Sequence, residues 1–241
     1  MDHIIEIATA DFNTTRSAVE GGADRIELCA ALTEGGTTPS QGMIKKCREQ
    51  FSVQLFPIIR PRGGDFLYND EEFDIMFGDV RLCKELGCDG VVIGLLKSDG
   101  RIDRSRTAKL VELAYPMEVT FHRAFDRCRD PFEALEQLID MGCQRILTSG
   151  QQPAAPEGAE LIAQLVKSAD ERIIIMPGSG VRPDNIAELA RVTGAREFHS
   201  SLRDKEKSRM DFIHPAFANS SESYSNPAID PKQVKALRQA L

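Results

Sequence analysis

The chain has 241 residues, 41% hydrophobic and 28% charged, with no Trp and a formal net charge of −7. That length suits one large α/β domain, which buries about 70–75% of the surface its unfolded form exposes. The acidic balance argues against general nucleic-acid affinity, and no stretch approaches the ~20 apolar residues of a membrane span.

The start, MDHIIEIATAD, enters a strand pattern at once and lacks the basic and apolar run of a signal peptide. A cytoplasmic protein is therefore expected, with its cysteines mostly reduced. These are Cys29, Cys47, Cys83, Cys88, Cys128 and Cys143, and none forms a CxxC pair. Neither a zinc ribbon nor a thioredoxin-type motif is indicated, and small buried hydrophobes are the simplest reading.

In chain order, strand patterns fall near 3–8, 24–29, 53–59, 89–94, 117–122, 144–148, 172–176 and 196–200. Helical patterns fall near 11–21, 40–50, 70–86, 103–114, 131–141, 157–169, 183–193 and 231–240. One unit repeats: Gly22-Ala-Asp-Arg-Ile-Glu27, Gly87-Cys-Asp-Gly-Val-Val92, Gly142-Cys-Gln-Arg-Ile-Leu147 and Gly194-Ala-Arg-Glu-Phe-His199. Each follows an amphipathic run and leads into an apolar strand, as a left-handed glycine at a helix end would. Asp130-Pro131 and Asp230-Pro231 read as helix starts, and Pro183 as a residue of a first turn. Eight strands, each followed by a helix, predict an α/β fold of the TIM-type (β/α)8 class, as a single domain. A doubly wound open sheet is the alternative, but Ala8-Thr9-Ala10-Asp11 is not the glycine-rich fingerprint that usually follows its first strand. Residues 202–229 show neither period. They are expected to form an irregular insertion between strand 8 and the last helix, an ordered cover or a subunit contact.

In a barrel, strand residues facing the helices are apolar, so an ionisable residue inside a strand faces the axis. Glu6, Glu27, Arg60, His122 and His199 are thereby expected near the carboxyl-terminal mouth, where barrel enzymes keep their sites. Glu27 or Glu6 is expected to pair with Arg60. Asp126 closes the stretch MEVTFHRAFD, in which ionisable side chains gather after an apolar strand. Glycines and hydroxyls follow strands 6, 7 and 8: Ser149 and Gly150, Gly178, Ser179 and Gly180, and Ser200. They suggest an anion site made of backbone N–H groups. Steric tightness of a strand-to-helix turn is the plain alternative.

The stretches GGADRIELCAALTEGGTTPS (21–40), IRPRGGDFLY (59–68), VTFHRAFD (119–126), RILTSG (145–150), IIIMPGSGV (173–181) and EFHSS (197–201) resemble the CutC copper homeostasis family along the whole chain. The resemblance implies a TIM-type barrel, a cytoplasmic location, a homodimer or higher assembly, and copper, bound as Cu(I), as the ligand. Among the family's proposed metal ligands, Cys29 matches. Cu(I) favours several thiolate or thioether ligands, and the chain has no Met-rich or His-rich run. The residues therefore also admit a barrel enzyme acting on a phosphorylated or otherwise anionic small metabolite. Glu27 and His122 would be its acid/base pair and Arg60 its anion holder. The reaction stays open among isomerisation, epimerisation, aldol cleavage and hydrolysis. A divalent metal held by Glu and His is a third possibility, without HExxH spacing to support it.

Overall fold

The computed structural model of the protein describes residues 3–217 and 224–241. Strands and helices alternate: β1 (Ile4–Thr9), α1 (Phe12–Glu20), β2 (Arg25–Leu28), α2 (Gln41–Gln50), β3 (Gln54–Pro57), α3 (Asp70–Glu85), β4 (Gly90–Ile93) and α4 (Arg104–Ala114). They continue as β5 (Glu118–Phe121), α5 (Pro131–Asp140), β6 (Arg145–Thr148), α6 (Ala159–Ala169), β7 (Ile174–Pro177), α7 (Ile186–Thr193) and β8 (Glu197–Ser200). After β8 come β9 (Asp204–Lys207), β10 (Ser225–Ala228) and α8 (Pro231–Gln239).

The four repeat glycines, Gly22, Gly87, Gly142 and Gly194, all adopt left-handed φ, between 71° and 89°. A side chain there would be strained, which is why the unit keeps Gly. Asp130 and Asp230 cap α5 and α8, each accepting backbone N–H bonds ahead of a proline. Pro183 differs from expectation: residues 183–185 form a turn and α7 starts only at Ile186. The Asn185 side chain takes the Arg182 N–H (2.9 Å) and closes that turn.

The eight strands run parallel in the orders β3-β2-β1-β8 and β4-β5-β6-β7. Ile58 bridges to Val92, and the Ile59 N–H donates to the Val92 carbonyl (2.8 Å), so the two sheets join between β3 and β4. On the other side β7 lies beside β8, and the Ser200 hydroxyl donates to the Val181 carbonyl (2.7 Å). The result is a TIM-type barrel ringed by helices. Outward residues such as Ile5, Ile7, Ile26, Leu28, Val91 and Ile93 pack with the helices in one apolar core. Inward Phe56, Ile58, Cys29 and Val92 form a small cluster of their own.

The insertion after β8 holds a strand pair in a stretch that shows no strand period. β9 and β10 pair antiparallel, Asp204 opposite Ala228 and Lys207 opposite Ser225. The register needs no alternation, because both faces of this ribbon are largely exposed. Residues 218–223 of that insertion lie outside the described residues.

Candidate functional site

Below the mouth, the barrel interior is ionic. Arg25 is fully buried; its guanidinium donates to Glu6 and to Glu197, with Met176 Sδ at 3.4 Å. Arg145 donates to Glu197 (2.8 Å) and Glu118 (2.9 Å). Both guanidiniums lie over the Phe56 ring, at 5.1 and 5.5 Å. Strand register produces this set, since Glu6 stands level with Arg25 on one side and with His199 on the other. Arg25 and Arg145 hold the Arg-Ile position of two repeat units. The rule for inward-facing ionisable residues covers them as it covers Glu27.

Glu6 belongs to this layer and does not reach the mouth. Burial works to raise its pKa, but Arg25 and then His199 outweigh it and hold the carboxyl down to about 2. Its second oxygen accepts from His199 Nδ1 at 2.8 Å. The expected pairing of a carboxylate with Arg60 does not occur. Arg60 Nη1 donates to the carbonyls of Glu34 (2.9 Å) and Gly36 (2.8 Å), and Nη2 to that of Gly64 (2.8 Å). The loops after β2 and β3 thus take up the guanidinium, and Arg60 fixes their shape.

Above this layer opens a cavity of about 360 Å³. Of the expected residues, Glu27, Arg60, His122, Ser179, Gly180, His199 and Ser200 line it. Arg123, Arg182, Arg203 and Phe66 line it too, and none of these was among the expected site residues. Glu27 is the one acidic lining residue among the described residues, facing four guanidiniums. His199 Nε2 lies 3.6 Å from its carboxylate. Burial raises the Glu27 pKa, opposed by His199 and reinforced by Glu6. For His199, burial lowers the pKa, yet Glu27 and Glu6 together prevail and raise it. The two carboxyls thus favour the charged form of the imidazole against its burial.

His122 behaves in the opposite way. Burial, then the nearby Arg60 charge, lowers its pKa to about 3, so the ring is neutral. Its Nδ1 accepts the Ala124 N–H (3.1 Å), which leaves the proton on Nε2. A neutral ring at this position offers a hydrogen-bond donor, where the sequence suggests one member of an acid/base pair with Glu27.

Several expected residues lie outside the cavity wall. Asp126 accepts from Thr148 Oγ1 (2.5 Å), Ser149 N (3.0 Å), Ser149 Oγ (2.9 Å) and Arg123 Nε (2.7 Å). Saturated in this way, it holds the loop after β6 in place. Ser149 is engaged in the same knot, its hydroxyl also within reach of Gln152 and Arg123. The Gly150 N–H donates to Thr148 Oγ1 (2.9 Å). Gly178 sits below the cavity, donating to the Thr148 carbonyl (2.9 Å); a Cβ there would come within 2.4 Å of Leu147. The cavity-facing part of the loop after β7 is therefore Ser179–Gly180, where both residues take left-handed φ (76° and 73°).

Cys29 is buried in the apolar cluster with Phe56, Ile58 and Val92, and does not line the cavity. Burial first, then Glu27, pushes its thiol well above the ordinary range. Among the described residues, no group of three or more His, Cys, Asp or Glu is placed to hold a metal ion. A Cu(I) site needs thiolate or thioether donors that converge, and the donors around Cys29 do not fit that requirement.

The model of the CutC family matches residues 3–204. A CutC family protein of Chromobacterium violaceum is 50% identical over 244 residues, covering 100% of this chain and 99% of that protein. A human protein named copper homeostasis protein cutC homolog is 42% identical, covering 97% of this chain and 87% of its own length. A solved CutC structure from Streptococcus agalactiae superposes with a TM-score of 0.79 at 33% identity, covering 83% of this chain and 98% of that one. By family model, by near end-to-end relatives and by fold, the chain belongs to the CutC family.

Proposed function

We propose that this chain is an enzyme that moves a proton on a small anionic metabolite, with Glu27 as the acid/base group. The observation that carries the reading is one carboxyl of raised pKa, Glu27, in a cavity whose other ionisable lining residues are Arg60, Arg123, Arg182, Arg203 and two histidines. The arginines and the Ser179–Gly180 turn would hold a phosphate or carboxylate. Arg60 is spent on backbone carbonyls, Arg123 on Asp126, and Arg203 gives Nη1 to the Leu32 carbonyl (2.9 Å), so Arg182 carries most of that task. Glu6 acts at one remove: it favours a charged His199, and His199 opposes the burial that raises the Glu27 pKa.

The test uses two readouts on the intact chain. Inorganic phosphate and a panel of phosphorylated C3–C6 metabolites should raise the Tm of wild type, and Arg182→Ala should abolish the shift. In D2O, a substrate from that panel should exchange a carbon-bound proton in wild type, and Glu27→Gln should slow the exchange by about 10²–10⁴-fold, the usual range for a lost acid/base group. No shift with any panel member would end the reading.

Copper is the second reading, supported by the name of the human relative. Its natural ligand, Cys29, would have to leave its apolar cluster and lose a tightly held proton first. No step of the proposed chemistry passes through a metal. A cytoplasmic setting is supported by six free, buried cysteines. A homodimer is supported by exposed Met210, Phe212 and Phe217 on the β9–β10 excursion; light scattering tests it directly.

A further inference from the structure

His122 has a feature that acid/base chemistry at Glu27 does not use. Its Nε2 is buried and has no hydrogen-bond partner in the protein. Leaving a buried donor unpaired destabilises a fold, so such atoms are scarce and call for a reason. The ring is also held firmly. Its Nδ1 accepts the Ala124 N–H. Its Nδ1–Cε1 edge lies against the backbone of Gly94, where a Cβ would come within 2.3 Å of Nδ1 and 2.2 Å of Cε1. Phe66 packs against the ring at a centroid distance of 4.9 Å. The ring lines the cavity, and Nε2 is its one nitrogen that the chain leaves without a partner. Chain geometry therefore supplies one fixed, neutral N–H donor on the cavity wall.

Resting on the acid/base reading of Glu27, we infer that His122 Nε2–H donates a hydrogen bond to the carbonyl oxygen of the substrate, which is an anionic aldehyde or ketone. A neutral donor suits an oxygen that gains negative charge during reaction, because it strengthens its bond without giving up its proton. The step balances within substrate and protein. The C–H bond next to the carbonyl breaks and its proton goes to the Glu27 carboxylate. The electron pair forms the C=C bond, and the carbonyl π pair moves to the oxygen facing His122. Return of the proton to the same carbon gives exchange. Where that carbon bears a hydroxyl, passage of the hydroxyl proton to the former carbonyl oxygen and return of the carbon-bound proton to the former carbonyl carbon gives isomerisation, with no outside oxidant or metal.

The test compares dihydroxyacetone phosphate with glycerol 3-phosphate, two probes of similar size that differ in ketone against alcohol. Titration calorimetry on wild type should show the ketone bound at least tenfold tighter. Bound [2-13C]dihydroxyacetone phosphate should show its carbonyl infrared band shifted to lower frequency. His122→Asn keeps an acceptor near Nδ1 for the Ala124 N–H but removes the Nε2 donor. It should bring the affinity ratio toward one and return the infrared band to its solution position. Gly94→Ala, which displaces the ring without altering its chemistry, should do the same and guards against a misfolded Asn variant. A ratio near one in wild type, or a ratio and band that both survive His122→Asn, overturns the inference and leaves only a water on Nε2. Binding of inorganic phosphate and glycerol 3-phosphate without ketone preference leaves the anion-site reading standing. Failure of all three to bind removes both.

Discussion

Replacing Arg25 with Met tests whether the ionic layer under the mouth is held together as described. Arg25 is the partner of both Glu6 and Glu197 and has no access to water. The Glu6 pKa falls from 4.5 to about 2, which at about 1.4 kcal/mol per unit is about 3 kcal/mol of stability at neutral pH. Removing one partner of a buried pair destabilises by about 3–5 kcal/mol, because the other charge stays behind. Arg25→Met should therefore lose about 3–5 kcal/mol at pH 7.5 in urea unfolding followed by circular dichroism. The pH dependence gives a second check. In wild type the folded pKa lies below the unfolded one, so the Glu6 contribution is complete above 4.5 and fades as pH falls toward 2. In the variant, burial acts on Glu6 without its main opponent, and the folded pKa lies above the unfolded one. The charged form is then penalised at neutral pH, and the penalty goes as pH falls to 4.5 and below. The deficit of the variant should shrink between pH 7.5 and pH 4.5. Adding Glu6→Gln to Arg25→Met should recover part of it at pH 7.5. A deficit below about 1 kcal/mol, or one equal at both pH values, would refute the account of the layer.

The remaining expectations can be checked in the same preparations. Asp126→Ala removes the acceptor of Thr148, Ser149 and Arg123 together and should destabilise by about 2–4 kcal/mol in chemical denaturation, the range for a buried charged acceptor with several partners. A thiol reagent at pH 8 should find fewer than one reactive cysteine in the native protein and all six after unfolding, since all six are buried. Cys29→Ser should leave Cu(I) affinity unchanged in an anaerobic competition against a chelator; a clear fall would revive copper. Gly178→Ala should lower Tm, because its Cβ would meet Leu147 at 2.4 Å and overpacking of this kind costs about 1–3 kcal/mol.

Much of this architecture is written in two periodicities. Alternation marks the strands, and the Gly–small–polar unit marks four of the helix-to-strand turns, because only glycine is comfortable at those left-handed positions. The inward rule then placed Glu27, His122 and His199 correctly, since strand pleat alone decides which way they face. Partner choice was not readable. Arg60 leaves β3 at its end, and a loop-borne guanidinium turns toward whatever carbonyls the neighbouring loops offer, here those of Glu34, Gly36 and Gly64. Arg25 and Arg145 carried a legible signal, the same residue in the same slot of two repeats. Arg182 and Arg203 carried none, because loops after β7 and β8 have no period to show which side chains turn inward. The role of His122 depended on a single backbone contact, Ala124 N–H to Nδ1, and no spacing in a sequence specifies which imidazole nitrogen keeps a proton.

The two layers work on each other through Glu6. A chain of net charge −7 should repel anions at long range, so any preference for them has to be made locally. Arg182 and Arg203 at the mouth are placed for that. At Glu27 itself His199 favours the ionised form, which would leave a weak base, while burial opposes it, and burial prevails. The separation of 3.6 Å between His199 Nε2 and Glu27 is wider than a direct hydrogen bond, so the pair interacts by charge and the Glu27 oxygen stays free to accept a proton. Arg25 settles how much charge Glu6 presents to His199, and through it how strongly Glu27 holds that proton. A barrel floor of paired charges, which adds little to stability compared with an apolar one, has a reason to persist if it tunes a carboxyl one layer above.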